Sequence, residues 1–593
     1  MRRSIAVCLM AFLFTSTSVQ RTSAAVPPKS AWIVKSDSYT NGLLAVRFAH
    51  APEEGSEQGL AKFDERISNP TIDDEIAERH ELEAALAKIA KAEPRETDRN
   101  VREDLAILRK AFDLQFRRED FALQHEVPFM NASKDIFQGL RTLLDDQVGA
   151  DRRSSAVARL RKYTGAEPGF KPYTEVLKQR ELDQIAKAGV IYPSKSEVET
   201  ELGRNSNYVD GIAALFAKYK LSDWESGYAR LKMQLADYDA WVRAHILPKA
   251  RSDFRLPAEE YALALEGYGV DLPPDQIASM ARTAFDAYQA EMASLAVKIA
   301  KADGYAANDY RSVIAELKKK QIMGAEILPF FQKRLEAIER IILENSLVTL
   351  PDRPAIIRLA TAAETAQQPA PHMKPPPFLN NTGQRGEFIL PLNIPSASGG
   401  AEDQYDDFTY DAVAWTLTAH EARPGHELQF DSMVERGVSL ARALYAFNST
   451  NAEGWGLYSE YIMQPFEPLE GQLLTLQLRL LRAARAFLDP ELQSGKMTPA
   501  EAYDVLEKDV MLSHAFAKEE VERFTFRAPG QANSYFYGYT RLLALRKETE
   551  AALGAKGAKF DQKKFHDFLL SQGLLPPDLM RRAVLDEFVT SQR

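Results

Sequence analysis

The stretch DAVAWTLTAHEARPGHELQF, residues 411–430, sets His420, Glu421 and His426 within seven positions. Two imidazoles flanking a carboxylate are the raw material of a zinc site. In the ordinary H-E-x-x-H pattern, a four-residue step puts both histidines on one helical face. Here the step is six, which in a regular helix means ~240° of rotation and ~9 Å of rise. That is too far for one ion, so a straight helix would rule the site out. Pro424 and Gly425 change the expectation. The proline ring clashes with the carbonyl four residues back, that of His420, and offers no N–H. Glycine accepts backbone angles that other residues resist. Val413, Leu417 and His420 share a helical face, so the helix is expected to end near Glu421. The Pro-Gly pair then predicts a broken turn that returns the second ring to the first. The plain alternative is a helix ending at Arg423 with two unrelated histidines.

A third ligand would be a carboxylate on a following helix. Asn448-Ser449-Thr450-Asn451 is a dense set of N-cap candidates, and EGWGLYSE, residues 453–460, follows it. Glu453 in the first turn would be aimed by that cap, and Gly454 and Gly456 would allow close backbone approach. The competing reading is a carboxylate favoured there only by the helix dipole.

HEARPGHELQ, EGWGLYSE and ERFTFRAPGQANSYFYG together resemble the signatures of the bacterial family catalogued as domain of unknown function 885. The similarity runs from roughly residue 35 to the C-terminus. That family is viewed as zinc-dependent and related to gluzincin peptidases. The resemblance implies one Zn2+ on His420, His426 and Glu453, with Glu421 as base, and it shares the elongated histidine spacing.

General chemistry then supplies a mechanism. Zinc on three protein ligands keeps a place for water and lowers its pKa. Glu421 would take the water's proton as it attacks a peptide carbonyl and pass it to the leaving amine. The oxyanion needs a further donor. Tyr535, Tyr537 and Tyr539 of SYFYGY could each supply it; Tyr537, just before Gly538, is the first choice and Tyr535 the second. His514 could back the oxyanion, and the Arg523 guanidinium suits a substrate carboxylate. Two other readings stand beside the peptidase. One is a non-catalytic helical periplasmic binding or scaffold protein; the other is a zinc hydrolase of a non-peptide amide or ester. Structural zinc usually fills four positions with protein ligands, and only three are found here. No G-x-S-x-G elbow points to a serine hydrolase.

The elements that must hold these residues read as mainly α. Residues 74–92 and 99–118 are rich in helix formers. From Leu272-Pro273-Pro274-Asp275 onward, Ile277, Met280, Ala284, Tyr288, Met292, Leu295 and Ile299 recur at helical spacing. Residues 325–347 and 468–488 repeat the style. Between 365 and 386 the chain is proline-rich, and EFILPLNI, residues 387–394, reads as an edge strand or hairpin because of its proline. Such an edge could pair with a substrate backbone. The expected architecture is a large multi-helix body around a cleft, with this small β element before the active-site helix. The expected organisation is a signal peptide at 1–25, a helical part at 26–370 and a helical metal-site part at 371–593, the last two packing as one body or as two.

Composition narrows the function classes. With 593 residues and 45% hydrophobic content the chain can bury a large core. A net charge of −10 disfavours nucleic acid as a partner. Arg2 and Arg3, an apolar run from Ile5 to Phe14 and Ser23-Ala24-Ala25 have the order of a secretory signal. The run is too short to cross a bilayer, so an exported protein, periplasmic or extracellular, without a transmembrane segment is expected. The single cysteine, Cys8, lies inside that leader and too early in the run for lipid attachment. A mature chain without thiols must hold metal through histidines and carboxylates. Peptides are the expected substrate; the sequence leaves cleavage specificity and oligomeric state open.

Overall fold

A computed structural model of the protein describes residues 29–391 and 405–592. The expected signal peptide lies outside them, as does most of the stretch after Leu390. Helices dominate the described residues. The ones that bear on the site are α1 (Ala31–His50), α2 (Arg99–His125), α3 (Pro274–Asp303), α4 (Ile327–Glu344), α5 (Asp411–Glu421), α6 (His426–Arg436), α7 (Ser449–Met463), α8 (Leu469–Gln493), α9 (His514–Glu522), α10 (Gln531–Ala555) and α11 (Gln562–Ser571).

Local sequence explains their ends. In α3, Pro274 occupies the first turn and Gly304, at φ +74°, closes the helix in the left-handed region. Ile277, Met292 and Ile299 of its apolar stripe are buried as the spacing predicts. Met280 is exposed instead, because Ala278 and Ala281 take the inward positions. Helix α3 packs along α8, and both share one apolar core with α5 and α10. This core spans residues on both sides of position 370. A separate cluster gathers residues between 127 and 246 with Ala363 and Ala366, and a third ties α4 and α7 to the C-terminal helices.

Three short strands form one sheet in the order β1 (Ile356–Leu359), β3 (Glu387–Leu390), β2 (His372–Lys374). The sheet stands before α5, as expected, but Glu387–Leu390 is its central strand and not an edge. It pairs parallel with β1, Ile357 opposite Phe388, and antiparallel with β2, Met373 opposite Phe388. All four of its residues are buried. Both its edges are taken, so it cannot receive a substrate backbone. Pro391 falls just past its end, where no ladder bond is lost. Gly386, at its entry, donates its N–H to Asp431 of α6 at 3.0 Å, which ties the sheet to the second histidine's helix.

Candidate metal centre

Helix α5 ends on His420-Glu421 and α6 begins on His426. The break falls at Pro424-Gly425, and the Arg423–Pro424 peptide is cis. A Cβ on Gly425 would stand 1.8 Å from the His420 carbonyl oxygen, so no other residue fits this turn. Trp455 of α7 clamps it, its indole N–H donating to the carbonyls of Pro424 at 2.9 Å and Gly425 at 3.3 Å. Arg423 anchors the other side through Glu427 and Glu339, each at 2.7 Å. The two imidazole rings therefore meet, centroids 4.6 Å apart.

Helix α7 brings the carboxylates. Asn448 caps it by accepting the Asn451 N–H at 2.8 Å, which places Glu453 in the second turn and not the first. One Glu453 oxygen, Oε2, lies 3.4 Å from Nε2 of His420 and 3.4 Å from Nε2 of His426. The three ligand atoms fall within 4.8 Å of one another. Ligands ~2.0–2.1 Å from a tetrahedral zinc stand ~3.4 Å apart, so the two histidine–carboxylate edges already have the right length. Two nitrogens and one oxygen are also a donor set that zinc accepts.

Three further residues complete the surroundings. Glu460, two turns beyond Glu453 on the same face, receives Nδ1 of His420 at 2.7 Å. Arg482 of α8 sits 3.3 Å from the same Glu460 oxygen. Gly456 lies beneath the His420 ring, where a Cβ would come within 2.5 Å of Cε1. Sequence reasoning missed Glu460 and Arg482. The seven-residue step between the two glutamates of EGWGLYSE was the available signal.

The electrostatics favour a cation. Burial alone would lower the His420 pKa, but the Glu453 and Glu460 carboxylates outweigh it and raise it to about 9. Glu453 is held well below the usual range, against its burial, by the two imidazoles. Glu421, its Oε1 4.0 Å from Nε2 of His420, is pushed up by burial, which outweighs the lowering effect of both histidines.

The remaining sequence candidates divide. On α10, Tyr535 and Tyr539 share one face and Tyr537 takes the opposite one, about 200° away. The first-choice phenol, Tyr537, donates to Asp271 on the far side of the helix. Tyr535 lies under the Arg485 guanidinium, 4.5 Å from ring centroid to carbon, and feels the Glu453 charge. Its hydroxyl has no hydrogen-bond partner among the described residues. Tyr539 packs beside Tyr461 and Arg479. His514 stands apart: it is half exposed, bonded to Glu507 at 2.7 Å and stacked on Tyr503. Arg523 is buried beside Glu519 and Glu520, at 3.6 and 3.4 Å, and lines a cavity.

The helices that carry Glu453 and Tyr535 touch without side chains between them. A Cβ on Gly454 would stand 2.7 Å from the Gly538 carbonyl carbon, and one on Gly538 2.0 Å from the Thr450 oxygen. This contact sets the spacing between the Glu453 carboxylate and α10.

Two solved structures share the fold. A "putative lipoprotein of unknown function from Shewanella oneidensis" is 19% identical, with a TM-score of 0.67 over 94% of this chain and 100% of that one. The "putative lipoprotein from Colwellia psychrerythraea" is 18% identical, with a TM-score of 0.73 over 94% and 99%. No curated protein matches the sequence. A family model matches residues 52–584, and the chain thus belongs to the family described as bacterial protein of unknown function (DUF885).

Proposed function

We propose that the protein is an exported zinc-dependent peptidase in which His420, His426 and Glu453 hold one Zn2+ and Glu421 is the general base. One observation carries the reading: two imidazole Nε2 atoms meet a single carboxylate oxygen at 3.4 Å each, with a second carboxylate on the adjacent residue. Three protein ligands leave a position open, as catalytic zinc sites do and structural ones do not. When bound, zinc supplies a Lewis acid that polarises a carbonyl and makes water a nucleophile near neutral pH.

The chain's own residues supply the rest. Glu421 accepts a proton from the attacking water and delivers it to the amide nitrogen as the C–N bond breaks. Tyr535, with an uncommitted hydroxyl, donates to the oxyanion. Glu460 fixes the His420 ring and its tautomer through Nδ1, and so aims Nε2 at the ligand point. Export rests on the leader at residues 1–25 and agrees with the descriptions of the two solved relatives. No described helix is long and apolar enough to cross a membrane.

Purified mature protein should contain one zinc per chain and cleave members of a mixed peptide library. A chelator should abolish cleavage and added zinc restore it. Protein that binds no zinc, or cleavage indifferent to chelation, would remove the reading.

A further inference from the structure

The two histidines of the centre are supported unequally. Nδ1 of His420 has Glu460 at 2.7 Å, whereas Nδ1 of His426 is buried without a hydrogen-bond partner. His426 turns its Nε2 toward the Glu453 oxygen, 3.4 Å away. A neutral imidazole with its proton on Nε2 has a bare Nδ1 that can only accept. Coordination at Nε2 reverses this. The ring gives up the proton there and takes one on Nδ1, which becomes a donor and needs an acceptor. A buried N–H left without one counts against the metal-bound state.

A spare acceptor lies one turn along the same helix. Gln429 stands three residues after His426 on α6, a spacing that makes the two side chains neighbours. A helical side chain also leans back toward the N-terminus, over the residue three or four before it. Gln429 is 3% exposed, and its Oε1 has no hydrogen-bond partner. The orientation of its amide is set from outside. The Leu575 carbonyl can only accept, so Asn451 of α7 turns Nδ2 to it, at 2.7 Å. Asn451 Oδ1 then accepts Gln429 Nε2 at 3.0 Å. A flipped Gln429 would set two oxygens against each other, so Oε1 is the atom left over. Asp431 and Ser432 also carry unpartnered oxygens on α6. They lie five and six residues beyond His426, turned ~140° and ~120° from it, against ~60° for Gln429.

We infer that Gln429 is the positioning residue of His426: with the metal bound, the His426 Nδ1–H donates to Gln429 Oε1, as the His420 Nδ1–H does to Glu460. The inference rests on the metal centre proposed above. It gives each histidine its own support, His420 from α7 directly and His426 through Gln429, Asn451 and the Leu575 carbonyl.

The test compares Zn2+ affinity, by competition with a chromophoric chelator, in the full mature chain and two variants. Gln429→Met keeps length and volume without the acceptor, and Gln429→Glu keeps an acceptor in place. Affinity should fall about tenfold or more in Gln429→Met and recover at least in part in Gln429→Glu. The NMR spectrum of protein with isotope-labelled histidine supplies a second readout. Zinc loading should bring up a downfield Nδ1–H signal, slow to exchange with water, which Gln429→Met moves upfield. Loaded, unmodified protein without such a signal overturns the inference, and that measurement needs no variant to fold. A Gln429→Met protein that melts lower but binds zinc as tightly as the unmodified chain also overturns it, leaving Gln429 a packing residue while the metal centre stands. Unmodified protein that binds no zinc removes the metal centre itself, and this inference with it.

Discussion

Two buried polar clusters lie in this molecule, and they are finished in opposite ways. Around Arg442 every guanidinium nitrogen is engaged: Nε on Asp104 at 2.8 Å, Nη1 on Gln572 at 2.9 Å, and Nη2 on Glu103 at 2.9 Å and Asn100 at 3.2 Å. Asp104 in turn accepts from Ser36 at 2.6 Å, and Trp32 lies over the guanidinium. The cluster binds α1, α2 and α11 to the segment before α7. Around His420 the outer atoms are tied only in part: Nδ1 reaches Glu460 and the turn reaches Trp455, while Nδ1 of His426 and Oε2 of Glu460 are buried without a hydrogen-bond partner. The inner atoms meet one another: each Nε2 stands 3.4 Å from the same Glu453 oxygen. A saturated cluster holds helices together. The less saturated cluster is the one proposed above to hold a metal.

Substitutions can break or sharpen that contrast. The largest effect is expected from Glu421→Gln, which keeps shape, zinc and melting temperature while turnover falls about 10²- to 10⁴-fold. Zinc-loaded variant protein with unchanged peptide hydrolysis would show that the open side of the cluster does no acid–base work. Next is Arg442→Met, which leaves Asp104 buried without its counter-ion and should cost about 3–5 kcal/mol in chemical denaturation, with zinc stoichiometry intact. Zinc loss without destabilisation would erase the distinction between the two clusters. Smallest is Glu460→Gln, which loosens the His420 ring from behind; zinc affinity should fall about 10- to 100-fold in a folded protein. An unchanged affinity by metal-competition titration would make Glu460 a packing residue only.

Much of this arrangement was legible in the sequence, for identifiable reasons. Helical stripes gave the body, and proline with glycine at 424–425 gave the turn, because both act through local backbone sterics. The status of Glu387–Leu390 was not legible: a strand is central only by virtue of partners at 356–359 and 372–374, which its own residues do not announce. Tyr537 failed for a different reason. Helical period separates it from Tyr535 and Tyr539, but which face meets the centre depends on the Gly454–Gly538 contact between remote segments. Arg479, Arg482 and Arg485 were hidden likewise, inside a stripe that reads as apolar packing and buries charge as well.

That glycine crossing also has a mechanical meaning. Where two helices meet backbone to backbone, neither can slide without collision, but one can tilt about the point of contact. Tilt moves the far end of a rod and leaves the pivot in place. The pivot here adjoins Glu453, and the far end carries Gln531, which lines a cavity with Arg523 and Arg527. A change that tilts the far end can thus leave Glu453, beside the pivot, where it stands.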